Sequence, residues 1–235
     1  MKKFTVFMLL ALCLLTVACG GPSSKEEAER LHKDHALATR VIWNDNFVPK
    51  LKKIHKELPE DKKDAEAAKL AEEYKPKLED AYKKIQAEKV QDKNKHLAEL
   101  IQQQDKNSLE FLNLLIMLND KQNLKEQNWQ QDFANVTMSL FNTKLEYDNE
   151  YSKITTGKGT YELTLANFQK IHKGDTYQKV AETFKMPGVL KSSSSSQLSY
   201  GLHTLNTWEW ELNDSRVSII FENNKAELIH QFNLK

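Results

Sequence analysis

Apolar residues recur three and four positions apart along the first two thirds of the chain, which is the period of one face of an α-helix. Four segments show this pattern: residues 25–58, 67–85, 92–118 and a last one that begins near residue 123. In the last segment the apolar stripe consists of Trp129, Phe133, Val136, Leu140, Tyr147 and Tyr151. Four amphipathic helices with short connections are typical of an antiparallel bundle, so we predict a helical bundle domain over residues 25–154.

Two prolines interrupt these segments, Pro49 in the first and Pro76 in the second. Proline has no amide hydrogen to donate within a helix, and its ring disfavours helical geometry in the residue before it. We therefore predict that the first helix kinks or restarts near residues 44–48 and that the second kinks at Pro76. No glycine occurs between Ser24 and Ile154, and Lys, Glu, Ala, Gln and Leu dominate there, which favours helix elsewhere.

The pattern changes in the last third of the chain. Residues 155–160 read Thr-Thr-Gly-Lys-Gly-Thr, and two glycines in six residues indicate a linker. Two short helical segments follow, near residues 165–172 and 175–184, and then polar and apolar residues alternate as in half-buried β-strands. We predict a second domain over residues 161–235, in which two helices pack on an antiparallel sheet of three or four strands. Residues 189–197 form either the fourth strand, at an edge, or a loop.

Two tryptophans, Trp208 and Trp210, share one face of a predicted strand, while the neighbouring glutamates face away. Tryptophan buries a large apolar area, so we predict that both lie on the sheet face that the two helices cover. The alternative is that they lie on the uncovered face, where an exposed aromatic patch would make them candidate binding residues. His230 is in phase with Leu228 and Phe232 in the last strand, and we predict that it is a packed histidine.

The first 18 residues have the parts of a signal peptide. Lys2 and Lys3 form a positive start, and an almost unbroken apolar run extends over residues 4–17. This run is shorter than the roughly 20 apolar residues that a spanning helix needs. It ends in Thr16-Val17-Ala18-Cys19, which resembles the lipobox of bacterial lipoproteins, with threonine where leucine is most common.

The lipobox resemblance implies that residues 1–18 are removed and that Cys19 becomes the lipid-carrying first residue of the mature chain. Palmitate-type acyl chains on Cys19 would attach the protein to the membrane, and two chains are enough for stable anchoring. Residues 19–24, Cys-Gly-Gly-Pro-Ser-Ser, would form the lipidated cysteine and a short tether. We therefore predict a lipid-anchored protein on the extracytoplasmic face of a bacterial cell membrane, with a Gram-positive cell as the expected source.

Composition argues against several classes of function. The chain has 34 Lys and Arg against 33 Asp and Glu, and this balance argues against a nucleic-acid partner. Cys13 would leave with the signal peptide and Cys19 would carry lipid, so no thiol nucleophile would remain. His32 and His35 have possible metal-ligand spacing, but a polar helix face explains them better. Neither Gly-x-Ser-x-Gly nor His-Glu-x-x-His occurs, and we predict no catalytic residue, no metal and no cofactor.

A second family resemblance lies in the second domain. It rests on Phe168, Ile171, the run Gly174-Asp-Thr-Tyr177, Val180, Phe184, Pro187 and Gly188, and then on Trp208, Trp210 and residues 219–225. These residues resemble the β-lactamase inhibitory protein-like fold, which includes the SmpA/OmlA small outer-membrane lipoproteins and lipoproteins of Gram-positive bacteria. The resemblance implies two helices against an antiparallel sheet, and members of this fold act by binding other proteins. The helical bundle resembles no family.

These observations favour a non-catalytic, membrane-anchored lipoprotein that binds an unidentified envelope protein or another envelope component. Two alternatives stay open. The kinked helices could enclose an apolar groove, in which case the protein would carry lipids or small ligands. An extracytoplasmic enzyme is the third hypothesis, and the missing motifs count against it. An empty apolar groove would favour the carrier, whereas an exposed aromatic patch on the sheet would favour protein binding.

Overall fold

The computed structural model describes residues 23–119, 129–198 and 201–235. The predicted signal peptide, the lipidation site Cys19 and most of the tether lie outside the described residues. Within the described part, a helical bundle is followed by two short helices and a four-stranded antiparallel sheet. This architecture confirms the predicted fold class.

The first helix runs from Ser24 to Glu57 and widens twice from α-helical to π-helical geometry. Three α-helical parts, α1 (Ser24–Leu31), α2 (Leu37–Arg40) and α3 (Val48–Glu57), alternate with two π-helical stretches, His32–Ala36 and Val41–Phe47. A capping box begins the helix, because the Ser23 hydroxyl accepts from the Glu26 amide and the Glu26 carboxylate accepts from the Ser23 amide. The second π-helical stretch ends two residues before Pro49, where the missing amide hydrogen interrupts the α-helical pattern.

Three further long helices complete the bundle: α4 (Glu60–Gln86), α5 (Lys95–Met117) and α6 (Trp129–Thr156). Pro76 lies inside α4, which is a single helix across that residue, and a 3₁₀ turn, Asp92–Asn94, leads into α5. Helix α4 packs along α5, and α5 packs along α6. The first helix lies against α4 and α6 and thereby completes the bundle.

A polar layer divides the interior of the bundle into two apolar clusters. One cluster includes Phe47 and Leu112, and the other includes Leu31 and Ile101. The polar layer consists of buried side chains from α2, α5 and α6: Thr39, Asp105, Asn107, Ser108 and Thr143. The Thr39 hydroxyl donates to the Asp105 carboxylate at 2.5 Å, and the Asn107 amide donates to the Thr143 hydroxyl at 3.2 Å. These bonds tie the three helices together where apolar packing is interrupted.

The second domain contains two short helices, α7 (Leu165–Phe168) and α8 (Tyr177–Phe184), each begun by a threonine whose hydroxyl accepts a backbone amide of the first turn. Its four strands are β1 (Val189–Leu198), β2 (Gly201–Leu212), β3 (Ser215–Glu222) and β4 (Lys225–Phe232). They pair antiparallel in the order β1-β2-β3-β4, so each strand neighbours the next one in sequence. The serine-rich segment, which the sequence allows to be either a strand or a loop, is therefore a strand, β1, at one edge of the sheet.

Helices α8 and α6 together cover one face of this sheet, which we call the covered face. Tyr177, Val180 and Phe184 on α8 are fully buried against Trp210 and Phe221. Helix α6 adds a second set of side chains to the same core: Met138, Phe141 and Leu145. A hydrogen bond of 2.9 Å from the Tyr177 hydroxyl to Asn142 fixes α8 to α6. The core of the second domain thus includes part of the bundle's last helix.

The phase of β4 differs from the prediction. Ile219 pairs with Ile229 and Ile220 pairs with Leu228, but Phe221 pairs with Ala226, so a β-bulge leaves one extra residue in β4. Each single-residue shift moves the following side chains to the opposite face of a sheet. Ala226 therefore lies on the covered face, while Leu228, His230 and Phe232 lie on the other face. His230 is exposed, and the prediction of a packed histidine is wrong.

The buried carboxyl of Asp105 makes the stability of the bundle dependent on pH. Asp105 is 1% exposed. Among the described residues, no group donates a hydrogen bond to the second oxygen of its carboxyl. Burial raises the pKa of Asp105 from 3.8 to about 7, against the lowering effect of the bond from Thr39. Between these two pKa values the folded state holds a proton that the unfolded state has lost, so the free energy of unfolding falls as the pH rises.

Replacing this carboxyl by a neutral amide should remove that pH dependence. We expect Asp105→Asn to raise the free energy of unfolding at pH 8, by at most about 4 kcal/mol, and to change it little below pH 4. Denaturant unfolding across pH 4 to 8 measures the effect. The control is Asp92→Asn, whose carboxyl is 99% exposed, so that exchange should leave the profile unchanged. Parallel pH profiles for Asp105→Asn and the parent chain would contradict this account.

Candidate functional site: the free face of the sheet

Both tryptophans that the sequence marks as candidate binding residues lie on the covered face. Trp210 is 0% exposed, and its indole nitrogen donates to the Met186 carbonyl at 2.9 Å. A Cβ at Gly188 would lie 2.8 Å from the Trp210 ring, so only glycine allows the chain to pass this close. Trp208 is half-buried and packs against Tyr177 with ring centroids 4.3 Å apart. Trp210 therefore has no surface to offer a partner and acts as part of the core.

The opposite face of the sheet, which we call the free face, carries an exposed apolar patch. Its members are Leu205 on β2, Ile220 on β3, and Leu228 and Phe232 on β4, and we refer to these four as the free-face patch. Leu228 is 48% exposed and Phe232 is 57% exposed, and both lie on β4. Leu205, Ile220 and Leu228 lie near one another across β2, β3 and β4, and His230 and Ser218 separate them from Phe232. Exposed apolar side chains grouped on an uncovered sheet face are typical of an interaction site.

Charged and polar side chains of both signs surround the free-face patch. His203 lies 2.6 Å from Glu222, and Lys191 lies 3.3 Å from Glu209. The Arg216 guanidinium lies over the Phe232 ring at 5.9 Å, where it shields one side of the ring. A shallow depression of about 290 Å³ lies beside that ring, lined by Glu209, Arg216, Ser218, His230, Gln231 and Phe232. An apolar centre with a rim of mixed charge is the usual composition of a protein–protein interface.

The bulge in β4 is the reason that sequence reasoning missed this patch. Simple alternation places Ala226, Leu228 and Phe232 on one face of β4, together with His230, and predicts that this face is packed. The local signal for the bulge is the pair Leu228-Ile229, because two adjacent large apolar residues cannot both point to the same side of a regular strand. Only the register of β4 against β3 shows which of the two is outside.

The two histidines of the first helix do not meet at a metal site. His32 lies 2.5 Å from the Tyr147 hydroxyl and stacks on Tyr151, and burial lowers the pKa of His32. His35 is buried and lies 3.2 Å from the Glu88 carboxylate. Across residues 23–119, 129–198 and 201–235, no cluster of three or more His, Cys, Asp or Glu side chains could hold a metal ion. Both histidines hold the first helix to its neighbours.

An apolar cavity of about 460 Å³ opens at the end of the bundle beneath α3. Its walls include Leu51, Ile54, Leu115 and Phe133, and it is the type of cavity that the carrier hypothesis requires. Residues 120–128, which connect α5 to α6 in the sequence, lie outside the described residues. The free face is complete in the described residues at the four positions of its patch, so it is the better candidate site.

Comparison with protein-family models, with curated proteins and with solved structures finds no match for the chain. The two resemblances stated from the sequence, to lipoprotein signal peptides and to the β-lactamase inhibitory protein-like fold, thus stay predictions. Among the helices that the structure describes, none is both long enough and apolar enough to cross a membrane.

The two faces of the sheet should respond differently to truncation. Trp210→Ala removes a fully buried side chain and should lower the free energy of unfolding by about 3–5 kcal/mol. Phe232→Ala is the matched control, because it truncates an exposed ring on the same sheet and should change that free energy by no more than about 0.5 kcal/mol. Denaturant unfolding of both variants tests the assignment. Equal losses of stability would show that the two faces have been assigned wrongly.

Proposed function

We propose that this chain is a non-catalytic, membrane-anchored bacterial lipoprotein on the extracytoplasmic face of the membrane, and that it binds another envelope protein through the free-face patch. The observation that carries the proposal is the bulge in β4, which brings Leu228 and Phe232 to the solvent side of a sheet whose other face is already covered. A structural role in the monomer does not explain two such side chains outside the core.

The composition of the free-face patch indicates what kind of partner surface would fit it. Burying a large apolar side chain contributes roughly 1.5–3 kcal/mol, so four such residues can supply the apolar centre of an interface. The Lys191–Glu209 ion pair and the Glu222 carboxylate, which lies beside His203, offer both charges at the rim, where they favour orientation over affinity. The partner should therefore present an apolar protrusion with polar neighbours of both signs.

The membrane part of the proposal rests on the N-terminal sequence. Residues 1–18 have the pattern of a signal peptide, and Cys19 ends the segment that resembles a lipobox. The first helix begins at Ser24, only a few residues after Cys19, and its capping box gives it a defined start. An acylated Cys19 would thus hold the bundle close to the membrane by a short tether.

Removing the proposed acylation site should release the protein from the membrane. We expect Cys19→Ala to appear as an uncleaved or shed form, while the parent chain partitions with membranes and starts at an acylated Cys19. Membrane fractionation and intact-protein mass spectrometry measure this. Cys13→Ala is the matched control, because Cys13 lies inside the apolar run and should leave processing unchanged. A mature N-terminus well beyond residue 19, without an acyl mass, would rule out the anchor.

Charging the free-face patch should abolish partner capture and leave the fold intact. Crosslinking in intact cells, followed by pull-down of the protein, should yield a partner with the parent chain and lose it with Leu228→Asp, because an apolar interface does not bury an unpaired carboxylate. Val41→Asp is the matched control, since Val41 is also half exposed but lies on the first helix. If the same partner is captured with Leu228→Asp, the free face is not its binding site.

A further inference from the structure

A second concave surface lies between α6 and the sheet, at the far end from α6's connection to the second domain. It is a cleft of about 390 Å³, formed by the N-terminal half of α6, the start of α8, β2 and the turn between β3 and β4. Six carboxamide side chains face it: Gln131, Asn135, Gln178, Asn206, Asn223 and Asn224. We refer to it as the amide cleft. It shares none of the four residues of the free-face patch.

No charged residue lines the amide cleft, although 29% of the chain is charged. At the average composition of this chain, a cleft lined by eleven residues would contain about three charged side chains. Two threonines, Thr137 and Thr204, join the six amides. A wall of this composition binds poorly to an anion or a cation but can donate and accept many neutral hydrogen bonds. The ligand that fits is therefore uncharged and rich in hydroxyl or amide groups.

Several of these amides are held in place by the protein. Asn223 and Asn224 have positive φ angles of 49° and 62°, as the two-residue turn between β3 and β4 requires. The Asn223 side-chain oxygen accepts from the Thr204 amide at 2.9 Å, and the Asn224 side-chain nitrogen donates to Gln178 at 3.3 Å. These bonds restrict the rotation of the Asn223 and Asn224 side chains, so part of the hydrogen-bonding surface of the cleft is preorganised for a ligand.

The same bonds leave donor groups available. Asn223 and Asn206 use their side-chain oxygens as acceptors, from Thr204 and Ser193 respectively, and Asn135 accepts from Gln131. Among the described residues, no acceptor is bonded to the side-chain nitrogens of Asn135, Asn206 and Asn223. Three amide nitrogens that line the cleft thus keep hydrogens to donate, which suits an acceptor-rich ligand.

Apolar side chains complete the cleft. Phe133 and Met138 on α6 lie among the amides. A pyranose ring has hydroxyl groups at its rim and C–H groups on its faces, so it needs polar partners around an apolar surface. The amide cleft provides both, and its volume falls in the range of small-ligand sites.

We propose that the amide cleft binds a neutral oligosaccharide, with the Asn135, Asn206 and Asn223 amides donating to its hydroxyl or acetamido oxygens and Met138 packing against a ring face. This site is independent of the free-face patch and of the lipid anchor. It gives the protein a second attachment, to uncharged glycan.

Titration calorimetry with the N-acetylglucosamine tetramer tests this proposal. The full chain is kept in a detergent without a sugar headgroup, so that the detergent does not compete for the cleft. We expect saturable binding of the tetramer and none of a tetramer that carries carboxylates. Asn135→Ala and Asn206→Ala should each weaken binding by about two- to tenfold, the loss of one net hydrogen bond.

The matched control is Asn113→Ala, which removes an exposed asparagine of α5 outside the cleft and should bind the tetramer like the parent chain. Unfolding curves establish that all three variants are folded. Absence of tetramer binding by the folded parent chain would overturn the proposal. So would equal affinity for all variants, or tighter binding of an uncharged Ser/Gly peptide than of the tetramer.

Discussion

Helix α6 has to bury two opposite sides, and the arrangement of the whole molecule follows from this constraint. One side carries Phe133, Val136 and Leu140 and packs into the bundle. The other carries Met138, Phe141 and Leu145 and packs under the sheet. At about 100° per residue these two stripes lie on roughly opposite sides of the helix. A helix that is apolar on both sides is stable in water only when both are covered.

The shared helix changes the meaning of the predicted linker. The first two residues of the predicted linker, 155 and 156, are the last two of α6, and residues 157–160 follow the helix. The Asn149 side chain accepts from the Thr160 amide at 2.9 Å, which folds this segment back on the helix. The chain therefore passes from helices to strands at the place where the composition changes. The hydrophobic core does not divide at that place, because Leu145 and Phe141 precede the linker and belong to the core of the sheet.

The first helix and α5 show how the bundle tolerates polar groups inside. The π-helical stretches His32–Ala36 and Val41–Phe47 flank α2, which carries Thr39 toward Asp105. A buried carboxyl costs free energy unless it is paired or protonated, and this one has one good hydrogen bond and a raised pKa. The polar layer makes one register between these helices preferable, because any shift would leave Thr39 and Asp105 without their partner.

The order of elements, the helical bundle, the change to β period and the placing of Trp208 and Trp210 on one face of a strand were all determined by the sequence itself. Local periodicity and turn chemistry depend on neighbouring residues, so they are visible in one chain. The second stripe of α6, the polar layer around Asp105 and the exposed positions of Leu228 and Phe232 were decided by tertiary structure. Each of these three features depends on a segment that is distant in sequence. The second stripe of α6 is covered by the sheet, Asp105 meets Thr39 of another helix, and the exposed positions of β4 follow from its register against β3. A single bulge reverses which side chains meet the solvent, because the side-chain period of a strand is two and pairing register is a property of two strands together.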